Sequence, residues 1–138
     1  MDGAGNLYVA DTDNNRVLEY NTPFVKTTVT GSGDTIADRV FGQSSFTAGY
    51  CNRLLGTPAA NRLCLPHGVA IDGACRLYIA DFGNDRVLEF DHPLSGGPSL
   101  CSAAGGGVCA NRVFGQGGSF TSNAINTGGE SADSLWNP

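Results

Sequence analysis

Asp2-Gly3-Ala4-Gly5-Asn6-Leu7-Tyr8-Val9-Ala10-Asp11 returns 70 positions later as Asp72-Gly73-Ala74-Cys75-Arg76-Leu77-Tyr78-Ile79-Ala80-Asp81. The correspondence runs on without a gap, with Asn14, Arg16, Val17, Leu18, Glu19, Tyr20 and Pro23 recurring as Asn84, Arg86, Val87, Leu88, Glu89, Phe90 and Pro93. Repetition at a fixed period means that one supersecondary unit is used more than once. A second block, Arg39-Val40-Phe41-Gly42-Gln43, returns as Arg112-Val113-Phe114-Gly115-Gln116 at an offset of 73. Phe46-Thr47 and Phe120-Thr121 then align at 74, and Leu63-x-x-Pro66 and Leu135-x-x-Pro138 at 72. The variable offsets fall in loops, where insertions cost little.

Between these anchors the apolar runs are short, rich in β-branched residues and punctuated by Gly, Asn-Asn or Asn-Asp, which predicts strands joined by tight turns. Seven strands are expected, at about 6–10, 16–20, 39–42, 68–72, 76–80, 86–90 and 111–115. Asp81-Phe82-Gly83-Asn84-Asp85-Arg86 is rich in residues that tolerate left-handed backbone, so the runs on either side of it should form an antiparallel hairpin. Gly68-Val69-Ala70-Ile71-Asp72, nearly all apolar, is expected to be an innermost strand buried on both faces.

Composition agrees with an all-β chain. Among 138 residues, 41% are apolar, 15% are charged and 20 are glycine. The net charge of −5 and the single lysine, Lys26, leave no basic stripe for a phosphate backbone, which argues against nucleic-acid binding. No apolar run reaches the roughly 18 residues of a membrane helix, so no membrane insertion is expected.

Pro66-His67-Gly68-Val69-Ala70-Ile71-Asp72, Leu77 to Asp81 and Asn84-Asp85-Arg86-Val87 resemble the NHL repeat, whose blades read Pro-x-Gly-Val-Ala-Val-Asp, Gly-Asn-Leu-Tyr-Val-Ala-Asp and Asn-x-Arg-Val. With its long segments 21–38, 44–65, 91–111 and 117–137, the unit looks like the long-unit NHL arrays of large bacterial envelope or secreted proteins. That resemblance implies β-propeller blades, about two four-stranded antiparallel units with long loops. The first unit would occupy residues 1–62 and the second 63–138. Met1 aligns with Ile71, so the first unit should lack its inner strand, and Pro138 aligns with Pro66.

Two blades leave both end faces bare. The chain is therefore expected to be an excerpt of a larger repeat protein, completed by further blades of the same parent. Alternatively it is a short protein whose copies assemble into a ring or, where the contact does not close, a filament.

Comparison of the copies also bears on the cysteines. Cys51 and Cys64 correspond to Ile125 and Trp136, two positions that are non-Cys together, so a Cys51–Cys64 disulfide is expected, stapling a loop of about a dozen residues. Cys101 and Cys109 flank a glycine-rich insert and form the second expected bridge. Cys75, in the turn position held by Gly5, is left over, either free or paired outside the chain. There is no Cys-x-x-Cys, and two bridges imply an oxidising compartment, hence secretion or the cell surface.

Asp11 with Arg16 and Asp81 with Arg86 recur at the same spacing, which favours a structural, blade-to-blade ion pair over a catalytic constellation, since catalysis breaks repeat symmetry. Asp11-Thr12-Asp13-Asn14-Asn15 lacks the glycine and late glutamate of a calcium loop. Glu19 and Glu89 alternate with apolar neighbours and are expected to face solvent. His67 is the better placed of two histidines for a metal at a channel mouth, but one histidine makes no site, and no cofactor is expected. Phe46, Tyr50, Phe120 and Trp136 are expected to pack the loops or to supply contacts. The expected function is a non-enzymatic extracellular or envelope scaffold or binding module, with an unknown protein or glycan as the candidate ligand. The rival is a fragment of a propeller-type lyase or lactonase whose metal site lies in other blades.

Overall fold

The computed structural model describes residues 1–25, 34–94 and 107–138. It is all-β, with two antiparallel sheets. The first has three strands, β1 (Leu7–Asp11), β2 (Arg16–Tyr20) and β3 (Arg39–Phe41); the second has four, β4 (Pro66–Ile71), β5 (Leu77–Asp81), β6 (Arg86–Phe90) and β7 (Arg112–Phe114). The order is sequential in each, and the sheets are open.

The repeat extends to the register. Leu7 faces Tyr20 and Asp11 faces Arg16 across β1 and β2, as Leu77 faces Phe90 and Asp81 faces Arg86 across β5 and β6. Val17 faces Phe41 as Val87 faces Phe114. Each hairpin is closed by a single turn of 3₁₀ helix ending in a left-handed residue, Asn15 at φ 53° and Asp85 at φ 51°. Asn and Asp accept this conformation more readily than other side chains.

Because side chains alternate across a strand, each sheet has two distinct faces. One carries Tyr8, Val17, Glu19 and Phe41 in the first sheet and Tyr78, Val87, Glu89 and Phe114 in the second. The other carries Leu7, Val9, Leu18 and Tyr20 in the first and Leu77, Ile79, Leu88 and Phe90 in the second. The core joins unlike faces. Tyr8, Val17 and Phe41 are buried against Leu77, Ile79, Leu88 and Phe90, and Phe41 meets Phe90 edge-on with centroids 5.2 Å apart. Leu63, Val108 and Ala110 complete the cluster. The packing is thus head-to-tail.

Two expectations need correction. Glu19 and Glu89 do not face solvent; both are buried. Alternation assigns a residue to a face but does not say which face is covered. Glu19 shares the Tyr8 face, on which the second sheet lies, and Glu89 is covered by Arg112, with which it forms an ion pair. Nor is β4 buried on both faces: His67 and Ala70 are exposed and Val69 only half-buried. It is the edge of its sheet, and only its Ile71 and Val69 side packs on the core.

Candidate assembly surface

Two hairpins of nearly identical sequence end in the same ion pair in different surroundings. In the second unit Arg86 Nε donates to Asp81 Oδ2 at 2.8 Å, and both side chains are 0% exposed. Asp81 Oδ1 also accepts the Cys64 N–H at 2.7 Å, and Asp81 Oδ2 accepts the Asn84 amide at 2.8 Å. Arg86 spends its remaining donors on the carbonyls of Phe120, Ala59 and Arg62. Burial pushes the Asp81 carboxyl above the usual carboxylate range, against the pull of the Arg86 guanidinium and these hydrogen bonds.

In the first unit Arg16 Nε donates to Asp11 Oδ2 at 2.6 Å, with the side chains 17% and 25% exposed. Arg16 also reaches the Phe46 carbonyl, the counterpart of Phe120. Asn14 caps Asp11 at 2.9 Å, as Asn84 caps Asp81. The bonds to Cys64, Ala59 and Arg62 have no counterpart among the described residues. Both ion pairs lie within a hairpin and neither runs from one sheet to the other, which corrects the expectation of a pair between units: the five-residue spacing is the span of the turn.

What covers the second hairpin is the loop of the first unit. Residues 51–65 lie over it, with Asn52 and Asn84 exchanging amide hydrogen bonds at 2.9 and 3.0 Å and Gly83 N–H donating to the Cys64 carbonyl at 2.9 Å. The Cys51–Cys64 disulfide, with Cα atoms 4.4 Å apart, ties the two ends of this cap. Ala110 N–H donates to the Ala60 carbonyl at 2.8 Å beside it.

The loop of the second unit follows the same path without the disulfide. Gln116 Nε2 donates to the carbonyls of Asp85 and Ala124 as Gln43 Nε2 does to those of Asn15 and Tyr50. Asn126 N–H reaches the Leu135 carbonyl as Asn52 N–H reaches that of Leu63, and the two asparagines share a left-handed backbone, φ 44° and 48°. Asn137 N–H binds Asp85 Oδ1 as Leu65 N–H binds Asn15 Oδ1. A Cβ at Gly115 would lie 2.9 Å from Leu135, and one at Gly42 would lie 2.6 Å from Leu63. Each glycine lets its loop leucine close onto the sheet. The second loop is therefore a folded cap of the same design.

The Tyr78 face is likewise prepared. Tyr78 and Phe114 are tilted at 42° with centroids 6.3 Å apart, against 43° and 6.4 Å for Tyr8 and Phe41. Yet Phe114 is 45% exposed where Phe41 is buried, and Val9 is 39% exposed where Ile79 is buried.

The remaining candidates are dispersed. Cys75 is a free, exposed thiol, and Cys101 lies outside the described residues, as does half of the bridge expected between it and Cys109. Phe46, Tyr50 and Trp136 are exposed, while Phe120 packs against the core. His67 stacks on Phe82 at 4.0 Å and His92 Nδ1 meets Asp91 at 2.6 Å. Among the described residues no three His, Cys, Asp or Glu side chains converge as metal ligands, and no helix is long and apolar enough to cross a membrane. A half-open cleft of about 160 Å³ lies at the seam of the two units, lined by Asp2, Asn6, Tyr8, Ile71, Cys75 and His92 among others.

Sequence reasoning missed the capping asparagines. Asn52 and Asn126 each lie six residues beyond the Phe46 and Phe120 landmarks, so their recurrence was a usable signal. No protein-family model and no curated protein matches the chain.

Proposed function

We propose that the chain is a non-enzymatic repeat scaffold of NHL-type propeller blades, acting at the cell surface or outside the cell, whose working surfaces are its two open sheet faces and the loops beside them. The observation that carries this reading is the unlike-face packing of the two units. A contact of that kind uses up one face of each unit and leaves one free on each. It thereby offers attachment points for further units, whether from the same parent chain or from other copies assembling as a ring or filament. The Cys51–Cys64 disulfide is compatible with an oxidising compartment, which supports the extracellular placement.

The test is the mass of the purified chain in solution over a wide range of concentration, together with its metal content. Assembly into a discrete ring or a growing filament is expected. A monomer at every concentration that carries stoichiometric zinc or calcium would overturn the scaffold reading in favour of a propeller-type lyase or lactonase.

A further inference from the structure

We propose that a second copy of this chain docks head-to-tail on the Tyr78 face and the 117–138 loop, presenting to them its own Val9 face and its Asp11–Arg16 hairpin. This rests on the scaffold reading and specifies its partner and register. It is argued by continuity with the interface already inside the chain. There, the Tyr8 face and the 51–65 loop of the first unit hold the Ile79 face and the Asp81–Arg86 hairpin of the second. The second unit repeats the holding surface, and the first unit repeats the held one in β1, β2 and the hairpin, without the Val69 and Ile71 side of β4, which its three-stranded sheet lacks.

The correspondence extends to single groups. The Trp136 N–H stands where the Cys64 N–H binds Asp81, and would bind Asp11 of the arriving copy. The Asn126 amide stands where Asn52 exchanges hydrogen bonds with Asn84, and would exchange them with Asn14. The carbonyls of Ser131 and Ser134 form the same turn as those of Ala59 and Arg62, and would accept from Arg16, as the earlier pair accepts from Arg86. Phe114 would meet Tyr20 as Phe41 meets Phe90. Two surface grooves would close. One is lined by Phe114, Ala132 and Leu135 on the holding side, and the other by Leu18, Tyr20 and Ile36 on the held side. Charge complements shape, since an Asp carboxylate approaches an N–H group and an Arg guanidinium approaches carbonyls.

One position resists. The internal contact brings the Cys64 carbonyl so close to Gly83 that an added Cβ would lie 2.9 Å away. In the first unit that position is Asp13. The docking between copies is therefore looser than the internal one, and Asp13→Gly should tighten it.

The direction of docking is tested with two half-blocked variants, Val9→Asp and Phe114→Asp. Both are made with Cys75→Gly, so that no disulfide through the exposed thiol joins copies. Sedimentation is expected to show concentration-dependent association for the Cys75→Gly parent, loss of association for each blocked variant alone, and a one-to-one dimer on mixing them. The mixed dimer also shows that both variants fold. Should both fail to fold, Asp13→Gly decides by itself, with a severalfold shift of association to lower concentration expected and no shift counting against the docking. A blocked variant that still self-associates like the parent would overturn the head-to-tail register, as would a mixture that gives no dimer, while leaving the scaffold reading standing. A parent that stays monomeric at every concentration would overturn the docking, and only one that also carries stoichiometric zinc or calcium would overturn the scaffold reading with it.

Discussion

The Asp11–Arg16 and Asp81–Arg86 hairpins share register, turn type and capping asparagine, and differ in whether another unit's loop lies on top. A repeated motif is thus one local structure in two dielectric settings. Its internal hydrogen bonds belong to the motif, whereas its energetic weight is set by the neighbour. The same salt bridge should be nearly dispensable at one end of the molecule and indispensable in the middle.

Truncating each arginine in turn should give the largest difference between the two hairpins. Arg86→Ala leaves the Asp81 carboxylate buried without its counter-ion and the carbonyls of Ala59 and Arg62 without their donor, and should cost about 3–5 kcal/mol in chemical denaturation. Arg16→Ala removes a partly exposed pair and should cost about 1 kcal/mol or less. Equal costs would mean that the cap does not determine the energetics.

The disulfide gives the next largest effect. Cys51→Ser with Cys64→Ser should lower stability by about 2–4 kcal/mol, because the closed loop restricts the unfolded chain. The other loop sharpens the point: because it follows the path of the first, Ile125→Cys with Trp136→Cys should form a bridge there, detected as a loss of titratable thiols. Removal of the cap's amide contact is smaller. Asn84→Ala strands the buried Asn52 amide and should cost about 1–3 kcal/mol, whereas Asn14→Ala should stay within about 0.5 kcal/mol.

Acid titration separates the copies most finely. In the turn before β5, Asp72 is drawn from 3.8 to about 2, first by the Arg76 backbone N–H and then, against some desolvation, by the Arg76 side chain and the Ala74 N–H. Its folded value lies below its unfolded one, so its contribution is present above about pH 4 and is lost as pH falls toward 2. In the first unit, burial pushes the Asp2 carboxyl up, and the Asn6 side-chain amide with the N–H groups of Asn6, Ala4 and Gly5 outweighs it, for a net lowering. Carboxyl-carbon NMR should therefore find Asp72 titrating below Asp2, and Arg76→Asn should bring the two together.

Much of the fold could be anticipated from the residues. The 70- and 73-residue offsets carry strand positions and cross-strand register together, since β2 and β3 shift relative to each other by only the loop insertion. Burial was not legible, because recurrence equates residues that the structure separates: Tyr8 is buried and Tyr78 is not, Ile79 is buried and Val9 is not. Which member of each pair is covered depends on which unit lies on it, and that information is held in no single repeat. The cap was hidden for a related reason. Residues 44–65 look like an insertion with its own character, and their role becomes visible only when Cys64, Asn52 and Arg62 are seen on the neighbouring hairpin.

Amide hydrogen exchange at single-residue resolution compares the same N–H positions in the covered and the uncovered copy. In dilute solution the Cys64 and Gly83 amides should be protected by their bonds to Asp81 Oδ1 and the Cys64 carbonyl. Their counterparts Trp136 and Asp13 should exchange fast and slow down as concentration rises and copies dock. Fast exchange at Cys64 and Gly83 would mean that the loop does not cap the second hairpin, and exchange at Trp136 and Asp13 that is indifferent to concentration would mean that copies do not dock there.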